Sequence, residues 1–239
     1  EIKNLSKSFN NKKVLDKISL SVKKGEIFGL IGLNGVGKTT SIKIILDLLK
    51  ADLGEVTFFG QSSEIPESRK FISYLPEKFY PSPFLKGDEF LSLSLSYYKI
   101  NYDSEKAKQL CDIIELDKKM LVDKISKYSK GMSQKLGLVS VFMSEAPLLI
   151  LDEPMSGLDP SARIQLKELL IDYSKKGNSI FFSSHILSDI DEICDRIAIL
   201  NDQKIIYDGN PKEFRNLYKE ETLERAFLKS INKNLVKIS

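Results

Sequence analysis

The sequence predicts an α/β protein with a mostly parallel sheet, an N-terminal antiparallel β subdomain and an inserted α-helical subdomain. Residues 1 to 31 contain short alternating or apolar runs separated by the polar patches NNKK and KKGE, a pattern typical of strands joined by tight turns. The strand signal vanishes between Pro76 and about Ser144. After that stretch, strand-like and helical runs alternate, which indicates parallel strands with right-handed crossovers.

The first third of the chain is expected to hold most of the antiparallel strands. Strands are predicted over 2–9, 18–22, 26–32, 55–60 and 71–76. From Lys38 to Lys50 the spacing becomes helical, and the residues that share one face are Ile42, Ile45, Leu46 and Leu49.

The rest of the chain is expected to add the insertion and the parallel strands. Helices are predicted over 87–99, 103–116 and 131–144 for the insertion. Strands then follow at 148–153, 179–184, 196–200 and 204–209, with helices at 160–176 and 186–195. Residues 211–239 are predicted to form one or two charged amphipathic helices.

The composition limits the possible functions only weakly. The 239 residues are 42% hydrophobic and 29% charged, which fits one large domain or a core with an inserted lobe. The net charge of +3 gives no reason to expect a nucleic-acid partner. Cys111 and Cys194 lack metal-ligand spacing and are expected to be buried, reduced thiols. We find neither an apolar run long enough to cross a bilayer nor a signal peptide, so a soluble, cytoplasmic chain is expected.

The stretch GLNGVGKTT, residues 32–40, has the pattern G-x-x-x-x-G-K-[ST], with an apolar strand before it and a helix after it. In such a loop, backbone N–H groups and the start of the helix attract phosphate, and Lys38 adds a full positive charge. Thr39 is placed to ligate Mg²⁺ through its hydroxyl group. The phosphate-binding candidates in this loop are Asn34, Gly35, Gly37, Lys38, Thr39 and Thr40. A purely structural glycine turn is the alternative.

Two adjacent acids end the apolar run LLILDEP at 148–154. A buried parallel strand places its last residues at the carboxyl edge of the sheet, where ligands of open α/β folds bind. Asp152 is therefore a candidate to support the magnesium shell, and Glu153 a candidate general base for an attacking water. A helix cap or a surface acid pair is the alternative, and Pro154 weakens it.

His185 is the only histidine and ends another predicted strand, SIFFSSH. A lone histidine is often structural. Here three predicted strands end in the Lys38 loop, in the acid pair and in His185, so their side chains are expected to meet at one rim. His185 is thus a candidate to orient the attacking water.

With these residues in order, the chain resembles the nucleotide-binding subunit of ABC transporters, which have a P-loop NTPase (RecA-like) core. The stretch YSKGMSQK at 128–135 falls where that family carries its signature LSGGQ. Ser129 and Gly131 match, whereas Tyr128, Lys130 and Met132 depart from the motif. The resemblance implies that Ser129 and Gly131 contact ATP held by a second copy, in a head-to-tail dimer. An ordinary helix capped by Ser129 is the alternative.

The same resemblance assigns two further residues. Phe9 lies where the family places an aromatic ring on adenine, and a core strand residue is its alternative. Glu77 lies where many relatives have Gln, so it is a candidate catalytic residue and Mg²⁺ ligand. Similar glutamates occur in exporter-like members, which favours export.

The resemblance also implies an organisation and partners. Residues 1–239 form a single nucleotide-binding domain, with an inserted helical subdomain at 77–144 and a helical tail at 211–239. ATP and Mg²⁺ are the expected cofactors, and a membrane-spanning permease and a second nucleotide-binding subunit, identical or not, are the expected partners. The chain would be held on the inner face of the cell membrane by the permease. The permease could dock on an aromatic and proline cluster formed by Phe79, Tyr80, Pro81, Pro83 and Phe84. Packing of these residues in the core is an equally open alternative.

Two other functions stay open at this point. A soluble ABC-type ATPase that acts on ribosomes or nucleic acid is one alternative, although no nucleic acid is expected as a partner. A small P-loop kinase or nucleotide-binding regulator is the other, and it would not need both the 128–135 turn and the acid pair.

Overall fold

The structure is a computed structural model and describes residues 1–235. In that range the chain forms ten strands and eight α-helices. The first half contains β1 (Ile2–Phe9), β2 (Lys12–Leu20), β3 (Ile27–Ile31), α1 (Lys38–Ile45), β4 (Leu53–Phe58), β5 (Gln61–Ser62), β6 (Ile72–Leu75), α2 (Gly87–Ser96) and α3 (Ser104–Ile113). The second half contains α4 (Lys130–Met143), β7 (Leu148–Asp152), α5 (Pro160–Lys175), β8 (Ser179–Ser184), α6 (Leu187–Ile193), β9 (Arg196–Asn201), β10 (Lys204–Gly209), α7 (Pro211–Tyr218) and α8 (Leu223–Leu235).

The strands form two sheets, as the sequence predicts. A small antiparallel sheet has the order β2-β1-β4-β5, and a six-stranded sheet has the order β10-β9-β3-β8-β7-β6. In the large sheet all neighbours are parallel except β9 and β10. Asp152 pairs with Ser183, and Ile31 pairs with Ser184. The carboxyl ends of β3, β7 and β8 therefore meet at one edge.

Both faces of the large sheet are buried, which explains why its strands are nearly continuous apolar runs. Phe28 and Phe181 face the small sheet and α1, and their rings stack with centroids 5.7 Å apart. Ile27 and Phe182 face the opposite way, into a core shared with helices of the insertion and with α5 to α8. The sheet is thus held between an antiparallel β layer and a helical layer.

Strand β5 was not predicted, several elements differ by a few residues at their ends, and two of the differences have a clear local cause. Strand β2 begins at Lys12, not at residue 18, because only Asn10 and Asn11 form the turn that joins it to β1. Their φ angles of 46° and 63° lie in the left-handed region that asparagine tolerates, which suits a two-residue hairpin. Helix α1 ends at Ile45, five residues before the predicted end, because Asp47 with φ 55° turns the chain out of the helix.

The segment between β6 and β7 is helical and contains α2, α3 and α4, joined in part by 3₁₀ turns. At the C-terminus, where the sequence predicts one or two amphipathic helices, the chain forms α7 and α8, and Phe214 and Phe227 pack them against the core. Residues 236–239 of the predicted tail lie outside the described residues. No helix within residues 1–235 is both long and apolar enough to span a bilayer.

Candidate functional site

A cleft of about 300 Å³ opens at the carboxyl edge of the large sheet. Its walls come from the loop after β3, from the segment after β6 and from the ends of β7 and β8. The lining residues are Asn34, Gly35, Gly37, Lys38, Thr39, Thr40, Glu77, Glu153 and His185. All nine are residues that the sequence reading proposed for a nucleotide site, so the fold gathers them in one place.

The glycine loop between β3 and α1 has a backbone that side chains would obstruct. Gly37 has φ 118°, and a Cβ atom there would lie 3.0 Å from Leu15 and 3.1 Å from Val14 of β2. A Cβ atom on Gly32 would lie 2.7 Å from the carbonyl oxygen of Leu200. Because glycine has no Cβ atom, these clashes do not arise, and the loop curls tightly before α1 begins at Lys38. The N-terminus of α1 therefore points into the cleft.

Lys38 is buried beneath the loop. Its Nζ donates a hydrogen bond to the carbonyl oxygen of Gly32 at 2.8 Å and lies 3.6 Å from Oε1 of Glu153. A buried ammonium group is stable only when it is paired in this way. The cleft therefore contains a fixed positive charge, supported by its own backbone.

Glu153 is the central residue of the cleft. Its φ of 52° lies in the left-handed region, as do the φ angles of several turn residues of this chain. Its backbone N–H donates to the carbonyl oxygen of Ser183 at 3.1 Å and to Oγ of Ser183 at 3.2 Å. These bonds to β8 turn the buried carboxylate toward Lys38 and His185.

His185 contacts the same carboxylate from the other side. Its Nδ1 lies 2.8 Å from Oε2 of Glu153, and its backbone N–H donates to that oxygen at 3.2 Å. The side chain is 48% exposed, so the ring also reaches the open cleft. Lys38 thus contacts one carboxylate oxygen of Glu153, and the imidazole of His185 contacts the other.

Asp152 lies behind the cleft lining and is almost completely buried. Its Oδ1 accepts a hydrogen bond from the Ser183 hydroxyl, whereas its Oδ2 has no hydrogen-bond partner among residues 1–235. A buried carboxylate oxygen without a partner is costly, and a divalent cation would satisfy it. Nearby Tyr74 has its pKa raised to about 12, by burial first and then by the charges of Asp152 and Glu77, so its hydroxyl stays neutral.

The chemistry of the available donors fits Mg²⁺. No group of three His, Cys, Asp or Glu side chains in the described part of the chain could hold a metal alone. Mg²⁺ is usually bound by one or two protein oxygens together with water and substrate phosphates. The Thr39 hydroxyl in the cleft and the unpartnered oxygen of Asp152 supply that kind of incomplete set.

Ser129 and Gly131 lie at the start of α4 and are not among the residues that line the cleft. Oγ of Ser129 accepts the N-capping hydrogen bond from the backbone N–H of Met132 at 3.2 Å. Ser129 and Lys130 are exposed, so the beginning of the helix faces solvent, whereas Gly131 and Met132 are partly buried. Ser129 thus caps α4, and its contact with ATP held by a second chain stays a prediction.

Phe9 also lies outside the cleft lining. It ends β1 with its ring 44% exposed, and Nζ of Lys7 lies 5.5 Å from the ring centroid. A Cβ atom on Gly37 would lie 3.0 Å from Leu15 and 3.1 Å from Val14 of the paired strand, so this hairpin lies beside the phosphate loop. An exposed ring at that place is free to meet a ligand that extends from the cleft.

The predicted docking patch is smaller than the sequence suggests. Phe79 packs edge-on against Phe90, with centroids 5.6 Å apart, and it fills the space beside Gly137. Core packing is thus the correct interpretation for Phe79. Tyr80 and Phe84 are 80% and 83% exposed.

A second groove was not predicted from the sequence. It has a volume of about 680 Å³ and runs between the end of α1 and the end of α2. Leu48 and Tyr97 are exposed along it, and Tyr74 and Tyr98 form part of its wall. These residues come from three separate segments, so no single stretch of sequence signals the groove.

Fold, loop and cleft together define a P-loop NTPase. The profile of the family described as ABC transporter matches residues 15–156. An uncharacterized ABC transporter ATP-binding protein of Synechocystis sp. is 39% identical over 208 residues, which cover 85% of this chain and 59% of that protein. The chain belongs to the ABC transporter ATP-binding family, and it spans about three fifths of the length of the two curated relatives that match at 59% and 62% of their length.

Solved structures agree with this assignment. An ATP-binding subunit of an ABC transporter superposes with a TM-score of 0.87 at 31% identity and covers 96% of this chain and 98% of its own. A dimeric bacterial ABC transporter cassette superposes with a TM-score of 0.79 at 22% identity, over 87% of this chain and 97% of its own. The second likeness shows the fold alone. The predicted fold, including its antiparallel N-terminal sheet, is confirmed.

Proposed function

We propose that this chain binds and hydrolyses ATP and powers a membrane transporter by pairing head to tail with a second nucleotide-binding subunit. The proposal rests on one observation: the predicted nucleotide-binding residues lie at two separate places on the chain. Nine of them form one cleft, whereas Ser129 and Gly131 belong to an exposed helix start elsewhere on the chain. A complete ATP site would need the cleft of one chain and the helix start of another.

ATP phosphates would bind to the glycine loop. The backbone N–H groups of the loop and the positive end of α1 attract the anion, and Lys38 adds its full charge. To reach the outer phosphates, Nζ of Lys38 would exchange its contact with Glu153 for one with phosphate oxygen, which releases the carboxylate. Phe9 would contact the adenine ring at the outer end of the site.

Mg²⁺ would be held by Thr39 and Asp152, with Glu77 close to the same phosphates. When bound, it would neutralise charge that develops on the phosphate oxygens. Glu77 lines the cleft and can offer an oxygen to the cation or to a water in its shell. The protein's own part is to keep Asp152 buried and oriented through Ser183.

Glu153 would act as the general base of hydrolysis. Its carboxylate accepts the proton of the attacking water while the water oxygen forms a bond to the γ-phosphorus and the bond to the β-phosphate oxygen breaks. His185 holds Oε2 of Glu153 and orients the water through the part of its ring that faces the cleft. The hydrogen bonds from the backbone N–H of Glu153 to Ser183 hold this geometry before the substrate arrives.

The second chain would close the site with the start of its α4. A helix N-terminus with exposed N–H groups attracts an anion, and the γ-phosphate of the other chain's nucleotide supplies one. Departure of the cleaved phosphate would weaken this contact and release the pair. The departures at Tyr128, Lys130 and Met132 leave the Ser129 hydroxyl and the Gly131 backbone for this contact.

A membrane-spanning permease would receive this motion and hold the chain on the inner face of the cell membrane. Tyr80 and Phe84 supply an exposed aromatic patch, and the groove beside Leu48 and Tyr97 supplies apolar contact area. Tyr80→Ala with Phe84→Ala should reduce recovery of the membrane companion from detergent extracts and leave ATP binding intact. Unchanged recovery would remove this patch from the interface.

Export is the transport direction that we propose, because Glu77 occupies the position where exporter-like relatives carry glutamate. ATP added to inverted vesicles reaches the nucleotide-binding subunits. An exporter then accumulates its cargo inside the vesicle, whereas an importer depletes it. ATP-driven depletion would contradict the proposed direction.

The enzymatic part can be tested with the purified chain. Phosphate release from ATP should require Mg²⁺, and activity per chain should rise with protein concentration, because the active unit contains two chains. Activity per chain that is independent of concentration would contradict the shared site. Co-purification with nucleic acid, lost steeply as salt rises, would instead favour the soluble ribosome or nucleic-acid function.

A further inference from the structure

The end of β1, which carries Phe9, is held by one residue from outside the strand. Asp52 lies directly before β4, and its backbone N–H donates to the carbonyl oxygen of Ser6 at 2.9 Å. Its Oδ2 accepts the backbone N–H of Ser8 at 2.6 Å, and its Oδ1 accepts the Lys7 ammonium at 2.9 Å. The hydrogen bond from Lys7 first, and that from Ser8 second, lower the pKa of Asp52, so the carboxylate stays charged. Asp52 therefore binds three consecutive residues, and the next residue of the strand is Phe9.

Lys7 covers one face of the Phe9 ring. Its Nζ lies over the ring at 5.5 Å from the centroid, within the range of a cation–π contact. The Lys7 side chain is 13% exposed, whereas Phe9 is 44% exposed. Because a lysine side chain is long and flexible, its ammonium group stays over the ring only while a partner such as Asp52 holds it. One face of the ring is thus occupied from within the chain, and the rest of the ring stays open.

The backbone around Phe9 is fixed on its other side as well. Phe9 is the last residue of β1, and a two-residue turn joins it at once to β2. The pairing register shifts between Lys7 and Ser8, so that β2 carries one extra residue, Val14, at this point. Such bulges redirect side chains and are frequent beside functional sites. Because Val14 lies beside Gly37, the hairpin presents the Phe9 ring next to the phosphate loop.

We propose that Asp52 is a positioning residue for the nucleobase, because it holds both the end of β1 and the Lys7 ammonium so that the Phe9 ring offers its open face to a stacked purine. This inference rests on the proposed function, in which Phe9 contacts adenine. The ring quadrupole binds the Lys7 charge on one face and leaves the opposite face for the base. Every base has a stacking face, so the fixed placement of the ring would set how much the base contributes to affinity.

The first test is a double-mutant cycle on equilibrium ATP affinity with Asp52→Asn, Phe9→Ala and the double variant. Phe9→Ala should weaken binding about tenfold, as expected for a lost base–aromatic stack. Asp52→Asn should weaken it about threefold, because Asn keeps the shape of Asp but no longer holds the Lys7 charge. The double variant should bind no more weakly than Phe9→Ala alone, since Asp52 acts only through the ring.

Matched variants separate this role from a general effect on the two strands. Lys3 and Glu55 form an ion pair at 3.9 Å across the same strands, at the other end of β1. Lys3→Met and Glu55→Gln should therefore bind ATP as the wild-type chain does. Lys7→Met should match Asp52→Asn, and Lys7→Arg should restore affinity, because a guanidinium group can pair with the carboxylate and lie over the ring.

The second test observes the ring position directly. The chain contains no tryptophan, so Phe9→Trp introduces a single indole reporter. A stacked purine quenches indole fluorescence, and saturating ATP should therefore quench this variant. Asp52→Asn in the same background should reduce the quench at saturating ATP. A change that only weakened affinity would leave that amplitude intact, so the amplitude reports the placement of the ring.

Wild-type affinity in Asp52→Asn, or an undiminished quench at saturating ATP, would overturn the inference. So would a threefold loss that persists in the Phe9→Ala background, or an equal loss in Glu55→Gln, because either result would show a general effect on the fold. Wild-type affinity in Phe9→Ala would show that no base stacks on this ring, which overturns the inference but leaves phosphate binding in place. A wild-type chain that does not bind ATP would overturn the proposed function itself.

Discussion

The cleft and the start of α4 are two polar regions of one chain. They differ in how many of their polar groups are paired within that chain. In the cleft, Lys38 and His185 both contact Glu153, and the three residues follow the ends of β3, β7 and β8. At the start of α4, Ser129 caps the helix, but the turn still faces solvent. In the proposed function the cleft is one half of an ATP site, and the helix start is the other half, supplied by a second chain.

The difference follows from topology. Parallel strands deliver their loops to one edge of the sheet, so residues far apart in sequence converge there without help from another chain. Helix α4 belongs to the segment inserted between β6 and β7, and its start does not line that edge. Changes in the cleft should therefore affect ATP binding or chemistry, whereas changes at the helix start should affect only what two chains do together.

The largest expected effect is that of Glu153→Gln. Removal of the general base should slow phosphate release at least about a hundredfold and leave ATP affinity intact. Phosphate release at saturating ATP measures this, with Glu168→Gln on the exposed face of α5 as control. A wild-type rate would remove Glu153 from the mechanism.

The next largest effect is that of Lys38→Ala on ATP affinity. Loss of a charge-assisted contact of roughly 1.5–3 kcal/mol should weaken binding about ten- to a hundredfold. Equilibrium titration with fluorescent ATP measures the change. Lys43→Ala, exposed on the same helix, should bind normally. Equal affinities for the two variants would contradict the role of Lys38.

Ser129→Asp distinguishes the role of the helix start from that of the cleft most clearly. Aspartate is a good N-cap, so α4 should stay stable, but its charge would repel the phosphate of a second chain's nucleotide. Hydrolysis should fall at least about tenfold while the isolated chain binds ATP normally. Ser129→Asn, which caps without added charge, is the control. Normal hydrolysis by the Asp variant would mean that this helix start never meets phosphate.

The smallest effect is expected for His185→Ala. Without the imidazole, Glu153 and the attacking water lose one orienting contact, and hydrolysis should slow about fivefold. ATP affinity should stay within about twofold, because His185 holds Glu153 and not the phosphate loop. Lost ATP binding would contradict this role.

Most of the cleft was predictable because its signals are local. Spaced glycines before Lys38, two acids at a strand end and a histidine at another strand end each have a physical meaning within a few residues. The roles given to these residues stay predictions, as do the bounds 77 and 144 of the inserted subdomain.

Features set by distant contacts were not predictable. The left-handed backbone of Glu153 depends on Ser183 of the neighbouring strand, and the burial of Phe79 depends on the space left by Gly137. The pairing of Lys7 with Asp52 joins residues 45 positions apart, and no sequence motif announces it.

The most direct test of a shared nucleotide site is the oligomeric state of the Glu153→Gln chain. Sedimentation with saturating ATP and Mg²⁺, alone and beside its membrane companion, should show a dimer that dissociates when ATP is removed. Ser129→Asp in the same background should stay monomeric while it binds ATP. A Glu153→Gln chain that stays monomeric under all these conditions would contradict the account.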